Sequence, residues 1–274
     1  MSWASLPGLT LRYRLSGRGA RTLVLLHELG GSLESFDAVA PALEDGFRVL
    51  RYDQRGAGWS EKPRGPASLA DHAADLGSLL EALGLAPPFA LAGVAAGAAV
   101  AAEFALARPA DVAALALCAP ALAVAADRRR YLEERAERAM REGMRAVAEG
   151  TLSRSYPGHL RGDAALFEAY RARFLANDPV AYAQANAALA GADLEARLGA
   201  LDLPCLVLAG RHDLLRPPGC ARAMAALIPG AAFDVVESGH LMSVQAPDEL
   251  GRRLLAFFGA AERAEPARTT GVMR

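Results

Sequence analysis

The stretch FALAGVAAG at 89–97 constrains this chain more than any other. A short apolar run ends at Gly93, and a run of small residues that can form a helix follows it. Glycines at 93 and 97 bracket position 95 with the spacing of a nucleophile elbow. In such an elbow a strained strand-to-helix turn lifts the central side chain over the end of a sheet. The turn therefore demands a strand before it, a helix after it and a sheet to be set in. Where it ordinarily carries serine, this chain has Ala95. Alanine has no atom that can attack a carbonyl, so the turn and the chemistry need separate explanations.

The rest of the chain supplies the alternation that an elbow needs. Residues 9–15 (LTLRYRL) alternate apolar and polar side chains, which predicts a half-exposed antiparallel strand. Residues 22–27 (TLVLLH) are almost wholly apolar, as a central parallel strand buried on both faces should be. Ser32 is placed to cap a helix over 33–43, and residues 48–53 form the next strand. A helix over 68–83 opens with a capping pattern at Ser68 and Asp71 and closes at Gly84. Strands at 89–94 and 112–118 flank a helix over 96–107 that stops before Pro109. This alternation predicts an α/β fold: a mostly parallel central sheet flanked by helices.

From 127 to 198 the pattern changes to helices alone, over 128–148, 163–176 and 179–190. The expectation is a helical lid over 127–198 inserted into a core made of 1–126 and 199–274. The core resumes with a strand at 205–209, a helix at 218–227, a strand at 232–236 and a helix at 247–258. Residues 260–274 read as a frayed tail.

Composition excludes several function classes. A net charge of −1 gives no global field for nucleic acid or an anionic membrane. No uninterrupted apolar run reaches the roughly 20 residues of a membrane span. Cys118, Cys205 and Cys220 are odd in number, lack metal or redox spacing, and read as small buried hydrophobes in a reducing compartment. The N-terminal residues lack the basic and apolar regions of a signal peptide, so a cytoplasmic protein is expected. No metal, nucleotide or flavin pattern is present; the expected partner is a small-molecule substrate and the expected cofactor is none.

Three sites fall at the carboxyl ends of expected strands, where open α/β sheets hold ligands. In chain order they are the elbow at Ala95, GRHD at 210–213 and SGHLM at 238–242. That order is nucleophile, acid, base. Asp213 would accept Nδ1–H of His240 and fix its tautomer, leaving Nε2 for a hydroxyl or a water. The loop HELGG at 27–31 would bring the Leu29 N–H to meet that of Ala96, the residue after the elbow, as an oxyanion hole.

With these residues the chain resembles the α/β-hydrolases, and within them the 3-oxoadipate enol-lactonase group. The similar stretches are HELGGS at 27–32, RYDQRGAGWS at 51–60, GMRAV at 143–147 and NDPVAY at 177–182, then GRHD with Pro217 and Pro218, and GHL at 239–241 with QAPD at 245–248. The resemblance spans nearly the whole chain, lid included. It implies a lid that closes over a lactone and a Ser/Asp/His triad that opens it through an acyl-enzyme. Asp213 and His240 carry over to that triad, and Leu29 and Ala96 to the oxyanion hole. The serine does not, and Glu28 stands where relatives usually have a small residue.

Ala95 admits three readings: an enzyme that needs no serine, an engineered Ser→Ala change, or a small-molecule binding protein. The expected function is hydrolysis of a small ester, lactone or related carbonyl compound by a water activated by His240 and Asp213. Glu28 would position that water or donate a proton; the bland alternative is a salt bridge to Arg51 or Arg55, or an outward side chain. Trp59, Met144, Tyr156, Phe174 and Met242, with Phe167 and Tyr170, are candidates to line the pocket or simply to pack. His27 reads as a loop-shaping residue and His212 as a shaper of the Asp213 loop. His72 and His159 read as surface or lid residues, and the arginines at 128–130 as a solvated helix face.

Overall fold

The computed structural model describes residues 2–264. In chain order the first half comprises β1 (Ser2–Leu6), β2 (Leu9–Ser16), β3 (Thr22–Leu26), β4 (Arg48–Tyr52), α1 (Leu69–Ala82), β5 (Phe89–Val94), α2 (Ala96–Ala107) and β6 (Val112–Cys118). Four helices follow: α3 (Ala126–Glu142), α4 (Met144–Ser155), α5 (Ala164–Leu175) and α6 (Pro179–Ala190). The chain then completes β7 (Cys205–Gly210), α7 (Pro218–Ala226), β8 (Ala232–Val236), α8 (Met242–Gln245) and α9 (Pro247–Ala264).

The eight strands form one sheet in the order β1-β2-β4-β3-β5-β6-β7-β8. β2 runs antiparallel to both its neighbours, and the remaining pairs are parallel. β3, β5 and β7 are buried at every residue, the mark of strands covered on both faces. Alternate side chains feed two separate cores. Val24, Leu26 and Leu91 join the cluster under α1, α2 and α7, while Leu23, Leu25 and Ala92 join the one under α9. Among the described residues no helix is long and apolar enough to cross a membrane.

The helices α3–α6 stand over the carboxyl ends of the strands. An isolated bridge between Ala123 and Asp193, with the Leu194 N–H donating to Leu122 O at 2.9 Å, ties the outgoing and returning chain together. Leu241 and Val244 of the core pack into the aromatic cluster of the lid, and Gln245 donates to the Ser155 carbonyl at 3.0 Å.

Several local expectations are corrected. The helix expected over 33–43 is two short 3-10 turns, Leu33–Phe36 and Ala40–Ala42. Pro41 removes a donor and would clash with the carbonyl four residues back, so an α-helix cannot run through. Ser32 does not cap: its hydroxyl donates to Glu34 at 2.7 Å, and Asp53 accepts the Leu33 N–H instead. β1 was not expected; Pro7 and Gly8 (φ 74°) fold it back on β2 as an edge strand. The single helix expected over 128–148 breaks at Gly143 (φ 80°). Residues 260–264 belong to α9; the rest of the expected tail, 265–274, lies outside the described residues. Cys118 and Cys205 are buried, but Cys220 is exposed. Ser68 and Asp71 form the expected reciprocal capping box.

Candidate active site

The elbow is present in full geometry. Ala95 joins β5 to α2 with φ 53° and ψ −110°. An alanine in that region costs about 1–3 kcal/mol and persists only where its surroundings over-determine it. Here the Ala95 N–H is pinned to the Cys118 carbonyl at 2.9 Å. A Cβ on Gly93 would lie 2.3 Å from the Gly97 carbonyl, and one on Gly97 would lie 2.2 Å from Leu26 O. Both glycines let α2 drop onto the strand ends. The turn thus keeps its strained shape without its nucleophile.

β7 and β8 deliver the acid and the base. The Nδ1 of His240 meets Oδ2 of Asp213 at 2.8 Å. The other Asp213 oxygen accepts the N–H groups of Leu215 (2.7 Å) and Arg216 (2.9 Å). Burial alone would raise the Asp213 pKa, but His240 and these donors outweigh it and hold the carboxyl below its ordinary value. Asp213 is therefore a carboxylate, and Nδ1 of His240 is the donor in their bond.

Glu28 is the unexpected component. It is 1% exposed, and neither Arg51 nor Arg55 touches it: Arg51 pairs with Asp37 at 2.6 Å and Arg55 with Asp75 at 2.5 Å. Both bland readings of Glu28 are thus corrected. One oxygen, Oε1, accepts the Ser35 hydroxyl at 2.8 Å and the Tyr170 hydroxyl of the lid at 2.9 Å. The other, Oε2, is buried without a hydrogen-bond partner. Burial and the adjacent Glu28 charge hold the Tyr170 phenol well above its ordinary pKa, so it stays a donor. Gly31 makes room for this arrangement, since a Cβ there would lie 2.1 Å from Glu28 Oε1.

Glu28, Tyr170 and His240 share one cavity between core and lid. Ala95, Ala96, Leu29, Glu28 and His240 line its floor. As the first residue of α2, Ala96 has an N–H with no intrahelical acceptor. Leu29 lies in the tight turn closed by the Gly31 N–H on Glu28 O at 3.0 Å. Tyr170 and Phe174 close the cavity from above.

Other candidates lie elsewhere. Trp59 is 63% exposed, lies against Arg12 and lines a different groove. Met144 and Tyr156 are buried in the lid's own core, and Met242 in the cluster under α9, so all three pack rather than line the site. His27 shapes its loop, with Nδ1 against the Glu28 carbonyl at 2.8 Å and Nε2 accepting the Gln54 N–H at 3.1 Å. His212 faces Glu237 and the edge of His159. His72 is not a surface residue; it is buried on α1.

Sequence reasoning missed the cavity's positive wall. Arg128, Arg135 and Arg216 all line it. Arg129 and Arg130 are exposed, but Arg128 turns inward, and burial pushes its pKa down to about 10, still charged at neutral pH. Arg135 is buried against Asn186, to which Nε donates at 3.0 Å. The signal was present in the spacing: residues 128, 132 and 135 are separated by four and three, one face of a helix, and all three line the cavity.

Comparison with known proteins gives the same architecture. Residues 21–247 match the family described as alpha/beta hydrolase fold. A Klebsiella pneumoniae protein that carries the name of a carbamate hydrolase, RutD, is 33% identical over 242 residues, covering 84% of this chain and 88% of its own. The crystal structure of an enol-lactonase from Burkholderia xenovorans LB400 superimposes with a TM-score of 0.90 at 29% identity, covering 94% of this chain and 100% of that one. A thermophilic esterase from Thermogutta terrifontis, with malate bound, gives a TM-score of 0.89 at 29% identity, covering 95% of this chain and 98% of that one.

Proposed function

The chain belongs to the alpha/beta hydrolase fold family, and from that premise we propose that it hydrolyses a small ester, lactone or carbamate with water as the nucleophile. One observation carries this reading: Ala95, His240 and Glu28 line one cavity, with Glu28 Oε2 unpartnered. Nε2 of His240 takes a proton from a water lying above Ala95. The water oxygen attacks the substrate carbonyl carbon, and the Leu29 and Ala96 N–H groups hold the resulting oxyanion. Asp213 stabilises the imidazolium across its 2.8 Å hydrogen bond. Collapse of the tetrahedral adduct breaks the bond to the leaving oxygen or nitrogen, which takes the proton back from His240. Glu28 Oε2 accepts the second water hydrogen and orients the attacking lone pair.

The wall of Arg128, Arg135 and Arg216 supports a substrate that carries a negative charge. Malate in the related esterase is an anion of that kind. The protein acts on a small molecule, in the cytoplasm, without a cofactor.

The test is turnover of an ester, lactone and carbamate panel. His240→Ala should lower it by about 10²–10⁴-fold, the usual worth of a general base. Turnover equal to the parent would end the proposal. In this reading Ala95→Ser occupies the water's place and brings no gain. A rise of several orders of magnitude would instead give the scaffold an ordinary serine mechanism.

A further inference from the structure

A second cavity lies between α1, α2 and α6 and is also lined by the loop at 27–30. Glu28, Leu29, Ala96 and Leu189 line both cavities, so the two meet beside the oxyanion-hole residues. Its walls differ in kind from the first. Val100, Leu69, Ala181, Ala185 and Ala188 supply apolar surface. Its one arginine, Arg55, is already neutralised by a bidentate bond to Asp75 at 2.5 and 2.6 Å. Burial first, and then Arg55, pushes His72 down to about 4, so its ring is uncharged at neutral pH.

Two buried polar atoms in this wall have no hydrogen-bond partner: Nδ1 of His72, on a residue 7% exposed, and the hydroxyl of Tyr182, on one 3% exposed. Buried polar groups in proteins are nearly always bonded, so such a pair on two residues that line a cavity points to what fills it. Apart from Glu28, where it meets the first cavity, this chamber has largely apolar walls, a neutralised arginine and two such groups, which suits an uncharged chain bearing a hydrogen-bonding group. We propose that the second cavity is the subsite for one arm of the substrate, an uncharged chain of several carbons carrying a hydroxyl or carbonyl, while the arginine-lined cavity holds its charged end. This deepens the proposed hydrolysis and rests on it for the meaning of the arm.

The experiment reads binding rather than turnover, so that the two ideas fail separately. Unreactive methyl ketones from 2-butanone to 2-nonanone are titrated calorimetrically against the intact protein. Affinity should rise about fourfold per added methylene, the worth of burying that group. Ala185→Phe, which fills the chamber from α6, should flatten the series; Val100→Phe does the same from α2 should the first variant fold poorly. A flat series in the parent, or an unaltered slope in a folded variant, would overturn the subsite. Tyr182→Phe should weaken 8-hydroxy-2-octanone about fivefold and leave 2-nonanone unaffected, one hydrogen bond's worth. Equal loss for both would overturn the polar part. Should the slope be present while His240→Ala turns over like the parent, the subsite stands and the hydrolytic mechanism falls.

Discussion

The floor and the roof of the site are built on different terms. On the floor, Ala95, Ala96, Asp213 and His240 sit in or just beyond the turns that follow parallel strands, where hydrogen bonds fix the backbone. The roof is the inserted helices, which contribute Arg128, Arg135 and Tyr170 from α3 and α5. In the proposed hydrolysis the floor holds the reacting atoms to a narrow geometry, and the roof selects what is admitted. At the cavity the two halves are joined by the hydrogen bond from Tyr170 of the lid to Glu28 of the core at 2.9 Å. That division predicts that floor substitutions change kcat and roof substitutions change KM.

The largest effect is expected on the floor. Asp213→Asn should lower kcat by about 10²–10⁴-fold with KM little changed, because an amide no longer holds the productive tautomer of His240. Steady-state kinetics on the best substrate of the panel measures it. A change confined to KM would break the division.

The next concerns His72, a core residue facing the boundary between the halves. Its folded pKa of about 4 lies below the ordinary 6.5, so the unfolded chain binds this proton more tightly. Its share of stability is therefore full above pH 6.5 and is lost as pH falls towards 4, by about 3 kcal/mol. Denaturant titrations of parent and His72→Phe between pH 7 and pH 4 should diverge by that amount. Asp213 also destabilises on acidification, its pKa being lowered by folding, but it does so in both proteins and cancels. Parallel curves would mean that His72 is not buried in a neutral form.

A roof substitution should act differently. Arg128→Met should raise KM roughly 10-fold for an anionic substrate, the worth of one charge-assisted hydrogen bond, and leave an uncharged ester unaffected. A matched pair of charged and neutral esters makes the comparison. The smallest effect is expected at the bridge between the halves: Tyr170→Phe should lower kcat only about threefold to tenfold, because Ser35 continues to donate to Glu28 Oε1. A loss as large as that of Asp213→Asn would mean that the lid carries chemistry after all.

The two halves also differ in how far they can be read from the chain. The strands at 89–94 and 112–118 are where apolar runs put them, and the turns at 93–97, 210–213 and 238–240 deliver their residues as spacing implies. Local rules suffice there, because a short apolar run between turn residues has few alternatives. The lid resisted. Trp59, Met144, Tyr156 and Met242 are large and apolar, and nothing local distinguishes a residue that lines a cavity from one packed behind it. Arg128 looked like its exposed neighbours Arg129 and Arg130, although one or two steps around a helix turn a side chain from solvent to a half-buried face.

The sequence by itself determined the strands of the sheet from β2 onward, the elbow with its empty nucleophile position, and the pairing of Asp213 with His240. Each of these depends on short-range pattern and on the right-handed, adjacent connections that parallel sheets impose. Only the tertiary structure decided the state of Glu28. Its partners Ser35 and Tyr170 lie 7 and 142 positions away, the second on a helix of the lid. Whether a buried carboxylate is satisfied, paired with arginine or left with one oxygen facing a cavity depends on which distant groups packing brings within hydrogen-bond reach, and no local rule encodes that.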